Sequence, residues 1–377
     1  MNRIEALEQF KENTVRDRCN EKLLSLEKYF EEKKDSLVQG FIESFRQICL
    51  VIKEIQSRNE KGKIGYITYS MMRTAIAEKK YSYLVEAFDK EWFLDLDPCN
   101  STYDAGWAFG FLDELRLELE EKRKLYFGTI VTCDVDNMIQ AEAAKFNEYI
   151  ISLARYAMPK AVLLKEYQDI IREEELEIRV GEYRDASESV YKEDTREKDS
   201  EKIKEWLNEK LEDEYSFEVF RKLNLRGGDY RNIDFSYADF SGSDLSESKL
   251  NGCTLVGTKF TGADLNAVNF GSTVLYGADF KNCNLKNAVF YMVEGAGGVE
   301  NPDLWERPGF MGISFEGADL EGADFEGADL KGAVFTGANL KNVNFSGTIL
   351  TNAVFSEKDL DILNLDRAQQ KVIKWKR

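Results

Sequence analysis

Every fifth residue in the carboxy-terminal part of this 377-residue chain is Leu or an aromatic. The series runs from Leu225, Tyr230, Phe235 and Phe240 to Phe290, lapses, and resumes from Phe310 to Phe355. It covers twenty-four central positions without an exception. Two residues before the centre sits a small side chain, such as Ala238, Cys253, Ala263, Ala323 or Ala328. Asp or Asn often precedes the centre, and Gly or Asn often follows two residues after it. A period of five fits neither the 3.6-residue helix nor the two-residue strand. It fits a chain that turns a corner every five residues, so that four corners close a square coil and coils stack with strand-like hydrogen bonds. The centre and the small residue before it then point inward, and the Gly or Asn suits a corner with left-handed backbone.

The lapse at 291–309 is either one degenerate coil or a loop pushed out of a corner. In steps of twenty, Leu225, Leu245, Leu265 and Leu285 form one face, and Phe240, Phe260 and Phe280 another. If the segment is extruded, Phe310 takes the face after that of Phe290. Leu320 and Leu340 then extend the Leu face, and Phe315, Phe335 and Phe355 extend the Phe face. A full coil would instead put Leu320 and Leu340 on the Phe face. Uniform stacks suit close packing, so the segment is expected to be a projecting loop. About six coils of roughly 4.8 Å each then make a rod 25–30 Å long.

Residues 1–222 read as a mainly helical domain. Asn20–Gln56 places Leu23, Leu26, Phe30, Phe41, Phe45 and Ile48 at helical spacing. Further amphipathic helices are expected over 105–127, 135–158 and 160–174, with Pro159 opening the last, and over 201–223. The Tyr- and Thr-rich stretch 64–83 leans to strand or mixed structure. The polar stretch near 180–200 reads as a mobile connector or an exposed ribbon. An open coil stack needs its ends covered. The helix before Leu225 is placed to cover one end. The apolar residues of a C-terminal segment at 356–377 provide either a helical cap for the other end or a homodimer contact.

The chain has no histidine, 51 basic and 69 acidic residues, and a net charge of −18. His-based catalysis and His-containing metal sites are excluded, and the charge argues against direct binding to nucleic acid or anionic membrane. The six cysteines form no close pair and read as reduced thiols of a cytoplasmic protein. The charged N-terminus is not expected to be a signal peptide, and no apolar run is long enough to span a membrane. Gly295–Gly298 lacks the Lys-Ser/Thr of a phosphate loop. Asp134-Val-Asp136 lacks the later residues of a calcium loop and reads as an acidic helix start. Asp95 and Asp97 read as surface carboxylates. No catalytic, cofactor-binding or metal-binding residues are expected.

The unit A-D-L/F-x-G, repeated through GADLEGADFEGADLKGAVFTGANL, resembles the pentapeptide-repeat family over residues 223–355. The resemblance implies a right-handed quadrilateral β-helix. The expected architecture is therefore α+β multidomain: a mainly α-helical domain, the β-helix with its loop at 291–309, and a C-terminal helical cap. Residues 223–355 carry 17 acids and 9 bases. The densest acids are Glu316, Asp319, Glu321, Asp324, Glu326 and Asp329, with no base until Lys331. They are either a solubilising surface or a partner-binding face, joined in the second reading by Trp305 and Arg307 of the loop. The coil is similar to the Qnr-type quinolone-resistance proteins, acidic rods that imitate DNA. That resemblance implies a bacterial, non-enzymatic protein that binds DNA gyrase, topoisomerase IV or another basic-grooved partner. The alternative is a scaffold in which the N-terminal domain binds a partner and the coil is a rigid spacer.

Overall fold

The computed structural model describes residues 2–212, 214–297, 312–359 and 362–376. The chain separates into two units, the first spanning Met1–Thr195 and the second beginning at Arg196.

In the first unit, helix α1 (Arg3–Phe10) continues through a π-turn (Lys11–Val15) into the 42-residue helix α2 (Arg16–Ser57). Strand β1 (Ile64–Met71), the short helix α3 (Arg73–Ala77), and strands β2 (Ser82–Phe88) and β3 (Cys99–Asp104) follow. Helices α4 (Gly106–Arg123), α5 (Thr132–Ala161) and α6 (Lys165–Asp169) precede strands β4 (Arg172–Glu182) and β5 (Ser187–Asp194). The strands form one sheet in the order β3-β2-β1-β4-β5, with β1 and β4 parallel and the other pairs antiparallel. Phe41 of α2 stacks on Tyr69 of β1 at 4.7 Å, and both are fully buried. The core of this unit thus lies between α2 and the sheet.

The first unit is mainly helical, as its sequence suggests, but it also carries a five-stranded sheet. The polar stretch near 180–200 is largely strand. In β4, Leu176, Ile178 and Val180 are buried, while the alternating Glu175, Glu177 and Arg179 face the other way and make ion pairs. One polar face per strand makes the segment resemble a connector. Pro159 does not open a helix; it lies inside the last turn of α5. Of the stretch expected to be a helix over 160–174, only the end of α5 at Lys160 and Ala161 and the short α6 are helical.

In the second unit, helix α7 (Ser200–Glu209) ends at Lys210 in a left-handed conformation, earlier than the expected 223. The coil begins at once. Trp206 packs on Tyr215 at 4.9 Å, and the Tyr215 hydroxyl donates to the Trp206 carbonyl. Phe220 stacks on Phe240, which places the first repeats before residue 223. Each outward residue pairs in parallel with the one twenty positions on, from Val219–Asp239 to Val274–Glu294. Corner residues two after each centre hold φ between 54° and 75°, mostly as Gly or Asn but also as Tyr237 and Glu247.

The pairing step changes at the lapse. Asp279 pairs with Ser314, thirty-five residues on, and pairs twenty apart resume from Ser314–Val334. The Phe face runs unbroken as 220, 240, 260, 280, 315, 335 and 355, with ring separations of 4.7–5.4 Å. A second column, Phe270, Phe290, Phe325 and Phe345, meets the first edge-on. Leu320 follows Leu285 through the Asn284–Asp319 pair. The extra residues therefore add no coil.

The boundary differs from the expected 291–309. Tyr291–Gly297 still belongs to the coil, and Gly295 takes the face after Phe290. Phe310 lies outside the described residues. A side chain on Gly295 would begin 2.1 Å from Cδ1 of Ile313. Ile313 occupies the position that Ala fills elsewhere, so its extra bulk takes the space a missing centre would leave.

The C-terminal segment is a mixed element, not a helical cap alone. Strand β6 (Val354–Ser356) pairs in parallel with β7 (Lys374–Lys376). Between them, the six-residue helix α8 (Arg367–Val372) presents buried Gln369, whose amide donates to the carbonyls of Phe345 and Thr348.

Gly295→Leu is expected to destabilise the second unit by about 1–3 kcal/mol, the usual effect of overpacking a filled core. Adding Ile313→Ala to that variant should recover most of the loss in a urea melt, because volume is then exchanged between the two positions. Phe335→Asp should abolish the unit's cooperative unfolding, since it buries an unpaired carboxylate between Phe315 and Phe355; Glu326→Lys should leave the melt within about 0.5 kcal/mol.

Candidate protein-binding surface

The repeat turns the Asp before each centre outward, so the six acids of interest lie on successive faces and corners of the coil that follows the lapse. Asp319, Asp324 and Asp329 are the outward residues of three consecutive repeats, and Glu316, Glu321 and Glu326 follow the centres at the corners. Glu316 and Glu326 are exposed, and the other four are partly buried. Trp305 and Arg307 lie outside the described residues.

Stacking brings bases to these acids that the linear sequence keeps far away. Lys281 lies 3.7 Å from Glu316, and Lys286 lies 3.2 Å from Asp319 and 3.6 Å from Glu321. Lys341, on the coil after, reaches Glu321 at 2.6 Å, so Glu321 stands between two lysines. Lys331 pairs with Asp329 at 3.0 Å. Asn339 donates to Asp319, and Asn344 donates to Asp324, each at 2.8 Å. Among the described residues, Asp324 and Glu326 alone of the six make no ion pair.

These contacts set the charge states. Lys341, with Lys286 behind it, holds the Glu321 carboxyl below the ordinary range. Partial burial pushes Asp319 up, but the Glu321 backbone N–H, Lys286 and Asn339 together more than offset it. Arg221, 2.6 Å from Asp239, does the same for that buried carboxylate against the effect of burial. The column Asp239, Lys259, Asp279 alternates in sign, and Asp264, Asn284, Asp319, Asn339 alternates acid with amide, whereas Asp244 lies beside Asp264 and Glu294 beside Asp329. Like charges about 4.8 Å apart repel, and the alternation removes that repulsion where it holds. Lys341, Asn339 and Asn344 are the part of this surface that the linear order hides, and a twenty-residue lag between Asp and Asn or Lys is the signal that marks it.

Other sequence candidates prove structural. Asp95 pairs with Lys61 and accepts from the backbone N–H of Asp89 and Asp97. Asp134 accepts from the backbone N–H of Val131 at the start of α5. Gly295–Gly297 belongs to the coil. The six cysteines are free thiols, and among the described residues no group of acids and thiols could hold a metal ion. No described helix is long and apolar enough to cross a membrane.

A family model described as pentapeptide repeats, in eight copies, matches residues 219–252, 253–290 and 310–361. The chain carries a pentapeptide-repeat domain. The matched segments begin before residue 223, as the coil does, and skip 291–309. No curated protein matches the sequence. Among solved structures, the chain is similar to the pentapeptide-repeat protein Rfr23 from the cyanobacterium Cyanothece 51142, at 21% identity over 37% of this chain and 89% of that one, with a TM-score of 0.22. It is also similar to HetL from Nostoc sp. strain PCC 7120, at 16% identity over 42% and 98%, with a TM-score of 0.13. Full-length QnrB1, a plasmid-mediated fluoroquinolone resistance protein, gives 14% identity over 44% and 89%, with a TM-score of 0.18.

The depressed carboxylates of the pentapeptide-repeat domain give its stability a pH dependence of known sign. A carboxyl held below its unfolded value of about 4 stabilises the fold above that pH and loses the contribution as pH falls. The melting temperature of the domain is therefore expected to drop between about pH 5 and pH 2, and Asp239→Asn should make the drop shallower in a thermal melt series.

Proposed function

We propose that the protein is a non-catalytic protein-binding scaffold whose pentapeptide-repeat coil presents an ordered polar surface at fixed spacing. The observation that supports this reading most is the internal compensation of the outer charges. Glu316, Asp319, Glu321 and Asp329 are each met by a lysine, and Asp324 by an asparagine. An imitation of DNA needs uncompensated negative charge at regular intervals, and four of these six acids are met by lysine instead. The interior, filled by Leu and Phe, leaves the coil no cavity for a substrate among its described residues. In this reading the first unit contributes the partner contact, and the coil is a stiff spacer or assembly surface in the cytoplasm.

A second reading is favoured by one feature. Among the described residues Asp324 and Glu326 have no paired base, on a domain with 17 acids and 9 bases. These two residues would meet a basic groove, such as that of a type II topoisomerase.

The two readings separate in a DNA gyrase supercoiling assay with and without a fluoroquinolone. The scaffold reading expects no effect of the protein on supercoiling. It also expects none from the Lys281→Gln/Lys286→Gln/Lys341→Gln variant, which exposes the acids. Protection by the wild type that strengthens in this variant and disappears in Asp324→Lys/Glu326→Lys would establish the second reading and remove the first.

A further inference from the structure

The first unit contains a groove whose charge runs against that of the protein. It has a volume of about 370 Å³ and lies where α1, the π-turn and the start of α2 meet α5. Such a volume falls in the range of small-molecule sites. Leu7, Val15 and Met138 give it an apolar lining, and Lys11 and Arg16 both line it.

The π-turn is what places both cations there. Five residues along an α-helix turn through about 500°, which would leave Lys11 and Arg16 about 140° apart. The Arg16 backbone N–H instead donates to the Lys11 carbonyl five residues back, and the inserted residue brings Arg16 round to the side of Lys11. Wide turns of this kind are rare and recur at functional sites.

The acids of the groove are already occupied. Arg3 reaches both carboxylate oxygens of Asp134, at 2.8 and 3.0 Å. Glu142 pairs with Lys145 at 2.6 Å and accepts from the Cys19 thiol at 3.0 Å. Lys11 makes no ion pair among the described residues. Arg16 has only its exposed sequence neighbour Asp17, at 3.7 Å. Lys11, without an ion pair among the described residues, and Arg16, met only by exposed Asp17, thus stand over an apolar floor in a chain of net charge −18.

We propose that this groove binds a small amphipathic carboxylate, with its anionic head between Lys11 and Arg16 and its aliphatic body over Leu7, Val15 and Met138. The probe is octanoate, with octanol as its neutral counterpart, titrated calorimetrically into the full chain at low salt. Octanoate is expected to bind and octanol not. Lys11→Gln/Arg16→Gln should weaken octanoate at least about tenfold, as loss of two charge-assisted contacts requires. Circular dichroism should show the variant folded, because both side chains are exposed. No heat with octanoate, equal binding of octanol, or unchanged affinity in the folded double variant would each overturn the proposal.

Discussion

Parallel stacking of inward Phe and Leu side chains at the coil spacing is the interaction on which the second unit depends. Rings 4.7–5.4 Å apart match the separation of hydrogen-bonded strands, so each ring fills the layer that its backbone defines. The edge-on meeting of the two Phe columns fills the angle between adjacent faces, and such contacts add about 0.5–1.5 kcal/mol each beyond area burial. Once the inner stack is fixed, the outer residues have no freedom of register. They form columns in which each side chain meets the ones a coil before and a coil after. The surface chemistry is therefore a consequence of the interior, and the lysine-to-carboxylate ladder across the lapse exists only because Phe315 lands on Phe280.

This dependence explains what could be read from the sequence. The period of five reveals the coil, and the identity of the faces reveals that the lapse adds no turn. The position of the lapse was less legible, because Gly295 is a centre without a side chain. Its partner Ile313 completes the layer from a position where the repeat normally has Ala, and no single-residue pattern signals that exchange. The acidic run from Glu316 to Asp329 misled in a related way. Counting along the chain finds no base among these residues, while counting across coils finds Lys281, Lys286 and Lys341.

The first unit was less legible for a different reason. Its helices announce themselves through apolar residues at helical spacing, as in Leu23, Leu26, Phe30, Phe41 and Phe45. Its strands β4 and β5 bury one face and line the other with Glu, Arg and Lys, so the alternation is masked by charge. The parallel pairing of β1 with β4 joins segments about a hundred residues apart, and no local signal carries it. The π-turn is likewise silent in the sequence: it is a one-residue offset between two good helices, detectable only where it moves Arg16 to the side of Lys11.

Continuity of register across the lapse is the claim on which the stack, the charge columns and the binding surface all rest. A pair of engineered cysteines tests it directly. Asp279 and Ser314 are outward neighbours on adjacent coils, within the separation that a disulfide spans. Asp279→Cys/Ser314→Cys should close a disulfide under mild oxidation, mapped by mass spectrometry of the peptides. Glu294→Cys/Ser314→Cys, a pair twenty residues apart that a full coil would bring together, should remain reduced, because Glu294 pairs with Asp329. A disulfide in the second variant and none in the first would contradict the account.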